Sequence, residues 1–279
     1  VVVLSLHCRR AMRRGPVASV DVSGTSFDKA LQAARHDDPS VRQRAALWLG
    51  THADETVAAD LVRLLVTEPD FYVRETLTWA VVTRHTSTYP LLVEALRDDS
   101  LAEGPGRVQV LHALSKIRRP ESVAEILPLA DDDDDAVAAK AWWALGRIHT
   151  PGAVAALVDH LGVEQDFRRR ELTRALEQAG EAAVEGLAQR LREDPDLSVR
   201  RHAAEALLAI GDPASRGAAP DLLHAVEHDD KEVVLPAIEA LAELDLPEVD
   251  GVLTRLRDGD DAWLSITAGW LITDRAERA

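Results

Sequence analysis

The segment from Ser198 to Gly211 reads SVRRHAAEALLAIG, and its apolar residues Val199, Ala203, Ala206, Leu207 and Ile210 fall on one face of a helix. With Val199 as position 0, that face is built from positions 0, 4, 7, 8 and 11. The same pattern starts again at residues 41, 73, 106, 137, 168, 233 and 263, at intervals of 30 to 34 residues. A second set of apolar helical segments alternates with the first, among them TVAADLVRLLV, PGAVAALVDHL and PEVDGVLTRLR. The chain is therefore expected to form eight helical hairpins with a period of about 32 residues. A single hairpin cannot bury its own stripe, so neighbours must stack and share one core along the array. Pro90, Pro151, Pro220 and Pro247 lie near expected starts of second-set helices, and Gly50, Gly146, Gly180 and Gly211 near expected ends of first-set helices.

Three residues before position 0 stands an acid in seven of the eight units: Asp38, Asp70, Glu103, Asp134, Asp196, Asp230 and Asp260, with Gln165 in the fifth. There it accepts unpaired backbone N–H groups and complements the helix dipole, at about 0.5–2 kcal/mol per cap. An Arg follows four residues later in Asp38/Arg42, Asp70/Arg74, Glu103/Arg107 and Asp196/Arg200, placed to pair with its own acid or the next unit's. The consensus V-R-x-x-A-A-x-A-L-x-x-I-G, seen best from Val199 to Gly211, resembles the HEAT-repeat superfamily, and most closely the short-repeat branch that includes phycobilisome-lyase-type HEAT-like proteins. The resemblance covers about residues 25–279. The fold expected is all-α, a right-handed α-solenoid of about eight two-helix HEAT-like repeats.

Composition agrees. Of 279 residues 46% are hydrophobic and only 4% aromatic, with Ala and Leu dominant, which favours packed helices over sheets. The net charge of -16 repels phosphate backbones and argues against a nucleic-acid partner. Cys8 is the only cysteine, so no intrachain disulfide can form and a reducing cytoplasm is the expected compartment. No segment approaches the roughly 18 apolar residues of a membrane span. Residues 1–24, with Arg9, Arg10, Arg13 and Arg14 and no helical period, read as a disordered arm; a basic nucleic-acid arm is the sharper alternative.

Positions 2, 6 and 9 point away from the buried stripe and, in a solenoid, line the concave face. Position 6 holds Trp79, His112, Trp143 and Arg174 in consecutive or near-consecutive units, and position 2 holds Arg170 and Arg201. Exposed aromatics and Arg concentrate binding energy, so these six residues form a candidate surface for a peptide or helix laid across the groove. The competing reading tucks the rings against neighbouring helices. Position 7 is Ala in the second to seventh units but Trp48 in the first and Trp270 in the last, where a large ring can cover an open end.

The run Asp131 to Asp135 contains the column acid Asp134, and its other four aspartates read as a solvated loop without the spacing of a calcium site. Of the adjacent rings, Trp142 is expected to face the packed side and Trp143 the groove. Asp221, His224 and His228 share a helix face and are weak metal candidates with no fourth ligand in evidence. The HEAT-like metalloenzyme deoxyhypusine hydroxylase uses His-Glu pairs, and none of the 10 His here precedes Glu. No phosphate-binding glycine loop or Gly-flanked nucleophile occurs. The expected function is a non-enzymatic interaction scaffold, monomeric and without a cofactor, that binds a protein partner in its concave groove. The resemblance also allows a bilin-lyase-like cofactor chaperone or a binder of the HEAT-like DNA glycosylase type.

Overall fold

The computed structural model describes residues 26–52, 54–101 and 105–278, the side chain of residue 99 excepted. The expected arm at residues 1–24, Cys8 and Glu103 lie outside the described residues. All regular structure within them is helical. The helices of one row are α1 (Phe27–Ala33), α3 (Ala58–Thr67), α5 (His85–Leu96), α7 (Val123–Ile126), α9 (Pro151–Asp159), α11 (Glu181–Glu193), α13 (Ala219–His228) and α15 (Pro247–Arg257). Those of the other are α2 (Pro39–His52), α4 (Phe71–Thr83), α6 (Gly106–Ile117), α8 (Asp135–Ile148), α10 (Asp166–Ala179), α12 (Leu197–Ile210), α14 (Lys231–Glu243) and α16 (Ala262–Arg278). Each even-numbered helix packs against the next along the whole array, whereas odd-numbered helices touch one another more sparsely. The tighter row traces the shorter arc, so the even helices form the concave side of the α-solenoid. One core cluster runs from Ala30 to Leu271.

The acidic column caps helices as expected at four units. Asp38 accepts from the Ser40 N–H, Asp70 from Tyr72 and Val73, Asp134 from Ala136 and Asp196 from Ser198. Gln165 and Asp230 make no side-chain cap bond. In the last unit the cap is Asp261, not Asp260: its carboxylate accepts from Trp263 and Leu264. Position 0 of α16 is therefore Leu264, one residue later than the pattern predicts. That shift turns the helix by about 100°. Position 7 becomes Leu271, 3% exposed, and Trp270 moves to position 6, where it is 61% exposed and covers no end of the core. Trp48 does pack at the first end, edge-to-face on Phe27 at 5.6 Å and stacked on His52 at 4.5 Å.

Three of the four ladder arginines, Arg42, Arg107 and Arg200, bypass the column acids and reach a second acid near the end of the following odd-numbered helix. Arg42 forms a two-point pair with Glu68, Arg200 another with Asp229, and Arg107 lies 3.6 Å from Asp132. The same guanidinium groups donate to carbonyls in the turn before their own helix, as Arg42 does to His36 and Asp37 and Arg200 to Asp194 and Pro195. Arg42 and Arg200 thus each tie three segments together. Four of the five aspartates are likewise divided among tasks, and only the Asp133 side chain is left to the solvated loop. Asp131 meets His160, Asp132 accepts from the Asp134 N–H, Asp134 caps α8, and Asp135 accepts from Arg168.

Glycines separate into two roles. Gly180 and Gly211 end their helices at φ 59° and 67°, in the left-handed region. Gly50 and Gly146 lie inside helices, and their missing side chains allow close approach: a Cβ on Gly146 would stand 2.2 Å from the Ala175 carbonyl oxygen. Pro151 and Pro247 open helices as expected, but α5 begins at His85, which leaves Pro90 inside it.

Candidate binding groove

The candidate residues lie on five consecutive even helices: Trp79 on α4, His112 on α6, Trp143 on α8, Arg170 and Arg174 on α10, Arg201 on α12. Position 6 leans back onto the preceding even helix. The Trp79 ring sits over Gly50 of α2 and packs against the core, half-buried. Trp79 is accordingly part wall and part surface. Trp143 is half-buried too, but it is not among the hydrophobic residues packed on the core. The Arg147 guanidinium lies over its ring at 6.0 Å from the centroid, and Arg147 Nε donates to the Ser115 carbonyl of α6. Its neighbour Trp142 is 1% exposed and meets His160 edge-to-face at 5.7 Å. The two adjacent rings therefore divide between core and groove, as expected from the pattern.

His112 is engaged by Glu75 of α4, Nε2 to Oε1 at 3.2 Å, and Lys116 Nζ approaches the other carboxylate oxygen at 3.4 Å. The His112 hydrogen bond, with the Lys116 charge, holds the Glu75 carboxyl down at about 2, against the opposing effect of burial. His112 is thus a bridge between helices more than a free contact residue. Arg174 pairs with Glu171 on its own helix, and Arg201 lies 3.1 Å from Glu232 and 3.7 Å from Glu205. Arg170 is exposed with no ion pair or hydrogen bond among the described residues.

Two features escaped the sequence pattern. Lys140, at position 3 of α8, is half-buried beside the groove, and burial pushes its ammonium below the ordinary lysine range although Glu171 and Glu75 oppose that effect. The corrected register of α16 also adds Trp270 to the position 6 column and puts Ile266, 74% exposed, at position 2. The cap at Asp261 was the signal for this, legible as a second Asp directly after Asp260.

Elsewhere Asp221, His224 and His228 do not converge. Asp221 is held by Arg192, and the two imidazoles stack at 4.5 Å, with His228 Nδ1 on the His224 carbonyl. Among the described residues no three His, Cys, Asp or Glu side chains form a metal-binding group. No helix there is long and apolar enough to cross a membrane.

A curved stack of helical hairpins with capped concave helices and an arginine ladder defines an α-solenoid of the HEAT type. The chain belongs to the HEAT-repeat family, whose profile matches residues 27–103, 102–177 and 184–272. No curated protein matches it in sequence. Similar solved structures include human deoxyhypusine hydroxylase in complex with glycerol, 20% identical over 91% of this chain and 96% of that one, with a TM-score of 0.37. An engineered protein is 21% identical over 90% and 98%, with a TM-score of 0.30. The complex of CpcE and CpcF of phycocyanin lyase from Nostoc sp. is 18% identical over 94% and 98%, with a TM-score of 0.34. At these identities and scores the neighbours carry no activity over to this chain.

Proposed function

We propose that the protein is a non-enzymatic interaction scaffold that holds a protein partner on its concave face, on the surface formed by Trp143, Trp79, His112, Arg170, Arg174 and Arg201. HEAT repeats are a protein-interaction architecture, which supports the class. The observation that carries the location is Trp143, a half-exposed ring that fills no core position while the adjacent Trp142 does. A large indole left at the edge of water between two close helices is the kind of anchor that interfaces bury. Affinity capture followed by mass spectrometry, on wild type and Trp143→Ala, tests this reading. Loss of one specific partner with Trp143→Ala, at a melting temperature within a few degrees of wild type, supports it. Identical captures by the two proteins reject it.

A further inference from the structure

We infer that the middle of the concave groove, between α6 and α10, takes an acidic peptide segment whose carboxylates settle on Lys140 and Arg170 while an apolar side chain rests on Trp143. This rests on the interaction-scaffold reading and adds the partner's chemistry to it. Lys140, Trp143 and Arg147 stand at i, i+3 and i+7 on α8, so they share one flank of the helix, about 5–6 Å between successive Cβ atoms along the stripe. Two cations thus bracket the ring.

The local charges are not balanced from within. Glu75 is committed to His112 and Lys116, and Glu171 to Arg174. Lys140 is left half-buried with no hydrogen bond or ion pair among the described residues, and Arg147 donates only to a neutral carbonyl. Burial lowers the pKa of both cations, the sign of charge that is poorly compensated. Arg170, on the next helix, is exposed and unpaired. In a chain of net charge -16 this is a local cationic floor. A desolvated cation gains most from a carboxylate that arrives already stripped of water by its own docking.

Length also matters. Beyond Arg174 the position 6 column continues with Glu205 and Glu239, both half-buried, so an extended polyanion along the groove runs into carboxylates. The occupant is therefore a short acidic stretch of a protein and not a nucleic-acid backbone.

The probe is a random 12-residue peptide display library, selected in parallel on wild type and on a Lys140→Gln, Arg170→Gln double variant. The expected result is enrichment of peptides with an excess of Asp and Glu around an aromatic or aliphatic residue on wild type only. Such a peptide, made synthetically, should bind at least tenfold more weakly to either single variant, lose affinity as salt rises, and quench tryptophan fluorescence in wild type but less in Trp143→Ala. Lys140→Gln removes a half-buried charge that Glu171 and Glu75 offset only in part, so its melting temperature should equal or exceed that of wild type. Enrichment of basic or neutral peptides, no enrichment at all, or a preference for a single-stranded DNA 20-mer over the acidic peptide overturns the inference. If Trp143→Ala loses the captured cellular partner while the double variant keeps it, the scaffold reading stands and the acidic-segment reading falls.

Discussion

The Trp79 ring lies directly over Gly50: a Cβ built on that glycine would stand 2.3 Å from Cζ3 of the indole and 2.8 Å from the Ala80 Cβ. The missing side chain of one repeat is thus the seat for the aromatic ring of the next. Gly50→Ala gains about 0.5–1 kcal/mol of helix propensity but forces that ring aside, so a net loss of about 1–2 kcal/mol is expected. Gly146→Ala should cost more, because the obstacle there is the Ala175 backbone carbonyl, which cannot rotate away. Thermal melts of the two variants give the order, and a Gly146→Ala protein as stable as wild type would contradict the close approach.

The two adjacent tryptophans should respond differently to the same truncation. Trp142→Ala empties a fully buried site and is expected to cost about 3–5 kcal/mol. Trp143→Ala removes a half-exposed ring and should cost under about 1.5 kcal/mol. Urea unfolding of both variants decides it, and comparable losses would make Trp143 a core residue.

Arg42 and Glu68 are a nearly dry pair, with side chains 12% and 4% exposed. Arg42→Ala leaves a buried carboxylate without its partner, and a loss of about 3 kcal/mol is expected. Arg97→Ala breaks the pair with Glu125 in which the Arg is 64% exposed, and should leave the melting temperature almost unchanged. If the two variants melt at the same temperature, the ladder is not structural.

His202 supplies a pH dependence. It is 0% exposed, accepts from the Gly162 N–H at Nδ1, and its Nε2 meets Thr173 Oγ1 at 3.0 Å, so the neutral ring is fully satisfied. Burial, with Arg169 and Arg201 nearby, lowers its pKa from 6.5 to about 4. The unfolded chain therefore binds the proton more readily, and the stability this gives is fully present above about pH 6.5 and lost as pH falls towards 4. The loss between pH 7 and 4.5 should be about 2–3 kcal/mol, and His202→Gln should flatten that slope. Glu75, held down at about 2, contributes in a lower window, from about pH 4.5 downward. Urea midpoints across this range for wild type and His202→Gln show whether the histidine is responsible; parallel curves would exclude it.

His202 also shows how far the sequence could be read. Its place at position 3 of a repeat helix marks it only as polar, and nothing in the one-dimensional pattern brings Gly162 and Thr173 to its two nitrogens. Asp132 is similar. Its place within five consecutive aspartates suggests solvent, yet Arg107 of the previous even helix lies 3.6 Å away. The helix starts after Asp38, Asp70, Asp134 and Asp196, by contrast, were legible in advance because a cap bond spans only two or three residues.

By itself the sequence determined the period, the alternation of two helix rows, the capping acids Asp38, Asp70, Asp134 and Asp196, and the separation of Trp142 from Trp143, because each depends on helical spacing within one repeat. Tertiary structure decided the rest. It chose Glu68 and Asp229 as the ladder acids, made Gly50 the seat of Trp79, bound His112 to Glu75, and left Lys140 and Arg170 unpaired. These outcomes depend on how one repeat is set against the next, and a translation or turn of a few ångströms between stacked helices leaves no trace in a pattern that repeats within each of them.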